Sequence, residues 1–126
     1  MSRRDELKVL VVDDTKMSRR HAIQILNQIN VKHVEEAEDG EQALAKLKEQ
    51  KFDCLLLDWM MPKMTGIEVL RKIREDQSLK DLVVFMVTAE AAKEQILEAI
   101  KAGVSDYIVK PVNPVTLIEK INSRFK

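Results

Sequence analysis

With one cysteine, three glycines and three prolines, the chain lacks the parts of several protein classes. Cys54 cannot close an intrachain disulfide, so the fold must rest on a packed core, and a cytoplasmic setting is expected. It sits inside an apolar run and reads as a small buried filler. So few glycines and prolines leave no room for collagen-like, linker-like or low-complexity segments. Aromatic residues are only 4% of the chain. The 21 basic and 21 acidic residues cancel, which gives no electrostatic footprint for nucleic acid or a membrane surface. No apolar run approaches the roughly twenty residues that span a bilayer. Ser2-Arg3-Arg4 is followed by Asp5-Glu6, not by an apolar stretch, so neither a transmembrane helix nor a signal peptide is expected.

What is present is an ordinary globular composition, 45% hydrophobic and 33% charged. One domain over residues 1–126 is expected, long enough to bury a core. Four apolar runs each stop at a polar residue. Val9 to Val12 stops at Asp13-Asp14, Cys54 to Leu57 at Asp58, Leu82 to Val87 at Thr88, and Tyr107 to Val109 at Lys110-Pro111.

Between the runs lie helical periodicities. Strands are expected at Leu7–Asp13, His33–Glu38, Phe52–Asp58, Leu82–Thr88 and Tyr107–Lys110. The first helix carries Met17, Ile23, Ile25, Leu26 and Ile29. The second opens at Asp39 and turns in Ala43, Leu44 and Leu47. Thr65-Gly66-Ile67-Glu68 reads as a capping box for the third, with Ile67, Leu70 and Ile73 inward. Ile96, Ala99 and Ile100 mark a fourth that stops at Gly103, and Asn113-Pro114 opens a fifth with Leu117, Ile118, Ile121 and Phe125. Five βα units imply an α/β, doubly wound, all-parallel sheet. Runs one, three and four are apolar enough to be central, and runs two and five suit edges. Right-handed crossovers then favour the order 2-1-3-4-5, the known order of flavodoxin-like (βα)5 proteins.

In such a sheet ligands bind beyond the strand carboxyl ends, near the switch point between strands one and three. Asp13, Asp14, Asp58, Thr88 and Lys110 all arrive there. Taken singly, Asp14 or Thr15 suits a helix cap, Asp58 a strand-end turn, Thr88 a strand, and Lys110 a solvated surface. Together they point to a site. Crowded carboxylates repel unless a cation sits among them. An all-oxygen set with few protein ligands suits Mg²⁺; no EF-hand loop is present for Ca²⁺, and His21 and His33 lack zinc spacing to Cys54. A metal and a lysine beside a carboxylate suit phosphoryl transfer, with Asp58 as nucleophile and Thr88 as hydroxyl donor.

The motifs Val11-Val12-Asp13-Asp14, Leu56-Leu57-Asp58-Trp59-Met60-Met61-Pro62-Lys63-Met64-Thr65-Gly66, Val87-Thr88-Ala89-Glu90 and Tyr107-Ile108-Val109-Lys110-Pro111 resemble those of two-component response regulator receiver domains. Within that family the likeness is strongest to single-domain chemotaxis regulators. The resemblance implies that Asp58 accepts a phosphoryl group from a sensor histidine kinase. It implies Mg²⁺ on Asp13, Asp14, Asp58 and the backbone carbonyl of Met60, and Lys110 paired with the phosphoryl group. It implies Thr88 and Tyr107 as switch residues and a cis Lys110-Pro111 bond. A downstream protein is then met by the helix 4–strand 5–helix 5 face through Lys93, Ile96, Tyr107 and Lys120. The expected protein is a monomeric signalling phosphoacceptor and not an enzyme acting on other molecules, and no DNA-binding domain is expected after Lys126.

Two positions depart from the chemotaxis pattern. Met60 stands where fast chemotaxis regulators often carry a polar side chain, and Asp14-Thr15-Lys16-Met17 lacks an aromatic that some relatives have. Three readings therefore stay beside flagellar motor control: a phosphorelay intermediate or sink, a Mg²⁺-dependent aspartyl-phosphate phosphatase, and a flavin-binding protein. The phosphatase would need a second acid just after Asp58, where Trp59 and Met60 stand. The flavin protein would need phosphate donors after strand one, where Asp13-Asp14 stand.

Overall fold

Each apolar run becomes a strand and each periodic segment a helix. The computed structural model describes residues 4–89 and 92–125. After a 3-10 turn at Arg4–Glu6, the order is β1 Lys8–Val12, α1 Lys16–Gln28, β2 His33–Ala37, α2 Gly40–Glu49, β3 Cys54–Asp58, α3 Gly66–Glu75, β4 Val83–Thr88, α4 Lys93–Lys101, β5 Asp106–Val109 and α5 Pro114–Arg124. The sheet is parallel throughout, in the order β2-β1-β3-β4-β5. Strand ends shift by one or two residues from expectation, and the opening turn had no apolar pattern to announce it. Among the described residues no helix is long and apolar enough to cross a membrane.

Alternation along the strands divides the core in two. Val9, Val11, Leu56, Phe85, Val87 and Ile108 face Ala22, Ile25 and Leu26 of α1 and Leu117 and Ile121 of α5. Leu10, Val12, Leu55, Leu57, Val84 and Met86 face Ala43 and Leu47 of α2, Ile67, Leu70 and Ile73 of α3, and Ala99 of α4. Both faces of β3 are covered, and all five of its residues are buried. That is why run three reads as unbroken apolar sequence up to Asp58.

The helix ends follow local chemistry. Asp39 accepts from the Gln42 amide at 2.8 Å, and Asn113 accepts from the Thr116 amide at 2.8 Å with Pro114 next. Thr65 and Glu68 close the expected capping box. Gly103, at φ 92°, ends α4: its amide donates to Ile100 O and the Val104 amide to Ala99 O, both at 3.0 Å. Thr15 corrects one alternative. It stands at the N-cap of α1 but makes no side-chain cap bond.

Two apolar expectations fail. Met17 is 78% exposed and Ile100 is 58% exposed. Met17 lies in the first turn of α1, beyond the carboxyl ends of the strands. On α4 the buried position is Ala99, and Ile100, one residue and about 100° further round, faces outward.

Gly66 shows how closely α3 approaches the sheet. Its amide donates to Trp59 O at 2.9 Å. A Cβ there would collide with the backbone carbonyl of Asp58 and meet Met86 Sδ at 3.0 Å. Gly66→Ala should therefore cost about 1–3 kcal/mol, an overpacking penalty, read by chemical denaturation. Because the clash falls on Asp58 itself, NMR shifts at the carboxyl edge should move with it. A variant as stable as the parent would mean that α3 can back away.

Candidate functional site

The strand register sets the site. Val12 pairs with Leu57, Asp58 with Val87, and Thr88 with Val109. Asp13, Asp58, Thr88 and Lys110 thus come off neighbouring strand ends. The backbone is tied there by Asp13 N–H to Ala37 O at 3.2 Å, Trp59 N–H to Val87 O at 3.0 Å and Lys110 N–H to Thr88 O at 2.7 Å. The Lys110-Pro111 peptide is cis, as the family resemblance implied.

Asp13, Asp58 and Thr88 are buried and Asp14 is exposed. Carboxylate oxygens of Asp13, Asp14 and Asp58 lie within 4.8 Å of one another. Lys110 Nζ lies 3.1 Å from Asp13 Oδ2 and 3.2 Å from Asp58 Oδ1. The second oxygen of Asp13 accepts from the Thr15 amide at 2.9 Å. One ammonium therefore serves two carboxylates of a group of three. Burial, and then the charge of Asp13, push the Asp58 carboxyl up to about 6; Lys110 opposes this and Asp14 adds to it. Burial works to lower the Lys110 ammonium. Its hydrogen bond to Asp13 and the charges of Asp58 and Asp13 outweigh that and raise it.

A hard divalent cation fits this donor set, because three oxygen donors converge with excess negative charge. Thr88 sits at the end of β4 beside that group. After Asp58 the chain divides. The Trp59 ring is buried and its carbonyl is taken by Gly66, whereas the Met60 side chain is 71% exposed.

The expected output residues lie on α4, β5 and α5. Tyr107 is half-buried, with Lys120 Nζ 5.8 Å from its ring centroid, and Lys120 also pairs with Asp106 at 3.0 Å. Lys93 is exposed at the start of α4 and Ile96 is half-buried one turn on. Glu90 lies outside the described residues.

Arg19 escaped the sequence reading. It is buried, and it donates to the Asp13 carbonyl at 2.7 Å and to Glu36 at 2.9 Å, which pins the end of β1 beneath the acidic group. A signal existed: Arg19 precedes Ala22 and Leu26 on the apolar stripe of α1, where an unpaired charge is not expected.

The response regulator receiver domain family matches residues 9–122. Chemotaxis protein CheY-3 of Vibrio cholerae is 47% identical over 120 residues, covering 95% of this chain and 92% of that protein. Chemotaxis protein CheY of Pseudomonas aeruginosa is 47% identical over 120 residues, covering 95% and 97%. The solved structure of Vibrio cholerae CheY4 superposes with a TM-score of 0.86 at 35% identity, covering 93% of this chain and 97% of that one.

The raised Asp58 carboxyl predicts a pH signature in metal-free protein. Its folded value, about 6, lies above the ordinary 3.8, so the native state holds the proton more tightly than the unfolded state does. This contribution to stability is full below about pH 4, falls as pH rises through 6, and is then gone. Two units of difference correspond to about 3 kcal/mol as an upper figure. Asp58→Asn removes the titrating group, so it should match or exceed the parent at pH 7 and lose the downward slope between pH 4 and 6. Denaturant melts across that range read both effects. Parallel pH profiles for the two proteins would show that Asp58 ionises freely.

Proposed function

The chain belongs to the response regulator receiver domain family, and from that premise we propose that it is a stand-alone, phosphorylation-controlled signalling switch. Asp58 is its phosphoacceptor and a sensor histidine kinase its donor. The observation that carries this reading is the Lys110 ammonium set between Asp13 and Asp58 in an acidic group of three. Such a site favours added positive charge, so Lys110 and a divalent cation held there would offset the negative charge that a phosphoryl group brings.

A carboxylate oxygen of Asp58 attacks phosphorus, the phosphorus–nitrogen bond of the donor phosphohistidine breaks, and an acyl phosphate forms on Asp58. Lys110 stays close enough to follow the new phosphoryl oxygens, and the Thr88 hydroxyl donates to one of them. Asp13, Asp14, Asp58 and the Met60 carbonyl are the groups that would hold Mg²⁺, which when bound neutralises charge at the transferring phosphoryl group. The output is protein contact through α4, β5 and α5, with Lys93, Ile96, Tyr107 and Lys120 on the contact face. The curated relatives named for chemotaxis support a flagellar motor switch protein as the downstream partner. The proposed receiver works in the cytoplasm and as a monomer.

Treatment with acetyl phosphate and Mg²⁺ should add one phosphoryl mass to the parent and none to Asp58→Asn, read by intact-protein mass spectrometry. An adduct of equal yield on Asp58→Asn would place the acceptor elsewhere. A motor switch peptide should retain more of the phosphorylated parent than of the untreated protein; retention by a histidine phosphotransfer protein alone would favour the relay reading.

The exposed Met60 side chain makes a further prediction. A thioether is a weak acceptor with no donor, so it cannot orient the water that hydrolyses the acyl phosphate. Met60→Asn adds an amide that can, at about 1 kcal/mol or several-fold in rate. Phosphate should leave Met60→Asn several-fold faster, with Mg²⁺ affinity changed little because the proposed ligand is the backbone carbonyl. Equal decay would move control of the water to another position, with Glu90 next.

A further inference from the structure

A cavity of about 550 Å³ lies beside the acidic group, on the α1–α5 face of the sheet. Its walls include Leu56 and Val87 from the strands, Ala22 from α1 and Val112 after β5. Asp13, Asp58 and Lys110 line it at the carboxyl edge. The sequence explains the space. The start of α1 lacks an aromatic, and Thr15 and Ser18, both short, line the cavity there. His21 closes one side, with Nε2 3.0 Å from Val112 O.

Its size falls in the range of small-molecule sites, about 300–1,000 Å³, and a few convergent polar groups over apolar walls are what such sites share. Charge selects among ligands. In the lining, Asp13 and Asp58 against Lys110 leave a formal excess of one negative charge, and Asp14 nearby adds a second, so an organic anion is repelled from the metal-free site. A metal ion answers the charge but leaves the walls uncovered. A hydrocarbon answers the walls but leaves the charge. We propose that this cavity binds an organic cation: a primary ammonium on a ring-sized apolar body, with the ammonium at Asp13 and Asp58 and the body against Leu56, Ala22 and Val112. Such a ligand competes with the divalent metal for the same carboxylates. The inference uses the acidic group but does not depend on phosphoryl transfer.

Three probes test it on metal-free protein, followed by backbone NMR shifts: benzylamine, benzoate (the same ring with the opposite charge) and methylamine (the charge without the ring). Benzylamine should bind at least about tenfold tighter than either and should raise the Mg²⁺ concentration at half-saturation. Ser18→Phe, which fills the cavity from α1, should weaken benzylamine at least about tenfold while moving the Mg²⁺ midpoint less than about twofold. Benzoate binding as well as benzylamine would overturn the proposal by showing that charge does not select. Methylamine binding as well would overturn it by showing that the walls contribute nothing. The comparison among probes stands on the parent alone if Ser18→Phe does not fold. A missing acetyl phosphate adduct would sink the phosphoacceptor reading and leave this comparison intact.

Discussion

The repulsion among Asp13, Asp14 and Asp58 is the constraint around which the carboxyl edge of this protein is built. Two like charges about 4 Å apart repel by about 4 kcal/mol at the effective dielectric of a protein surface. A whole domain is stable by only about 5–15 kcal/mol. A cluster of this kind survives because every other feature of the edge opposes it. Lys110 spans Asp13 and Asp58, Thr15 donates its amide to Asp13, and Arg19 holds the Asp13 carbonyl from below. The protein does not complete the neutralisation: Asp58 still retains its proton to about pH 6. That residue of unspent repulsion is what a cation, or a group bringing its own cation, can relieve.

Holding charges together requires a support that does not yield, and the parallel sheet provides one. β3 is buried on both faces, so Asp58 is fixed by Leu55 and Leu57 on one side and Leu56 on the other. Gly66 lets α3 press against the Asp58 carbonyl from the α2–α4 side. A substitution that loosened this packing would let the carboxylates separate and discharge the site without any change in its titratable groups. Core stability and site electrostatics are therefore one quantity at Asp58.

Much of this was legible because the physics was local. Apolar runs ending in charge gave the strands and the edge where Asp13, Asp58, Thr88 and Lys110 meet. The capping signals at Asp39, Thr65 and Asn113 each depend on a contact three residues away, and all three form. What was not legible depends on distant packing. Met17 and Ile100 lie on apolar spacing, yet which turn overhangs the sheet and how far α4 rotates are decided by the neighbours, not by the helix. Arg19 pairs with Glu36 across 17 residues, a partnership no periodicity encodes. The shared ammonium of Lys110 joins residues 97 apart in sequence, so its ion pair with Asp13 follows from topology alone.

The alternation of β3 carries on one residue past its end, and this gives Asp58 and Trp59 different neighbours. Asp58 stands over the α1–α5 core with Lys110 and the large cavity. Trp59 joins the α2–α4 core and lines a space of about 10 Å³ with Thr88, Ile96 and Tyr107. Gln95 also lines that space, and its Oε1 is buried with no hydrogen-bond partner among the described residues. The central strand and the α4 boundary thus meet at two adjacent residues. Asp58 therefore belongs to the side of the sheet that carries the cavity, and Trp59 to the side that packs α4.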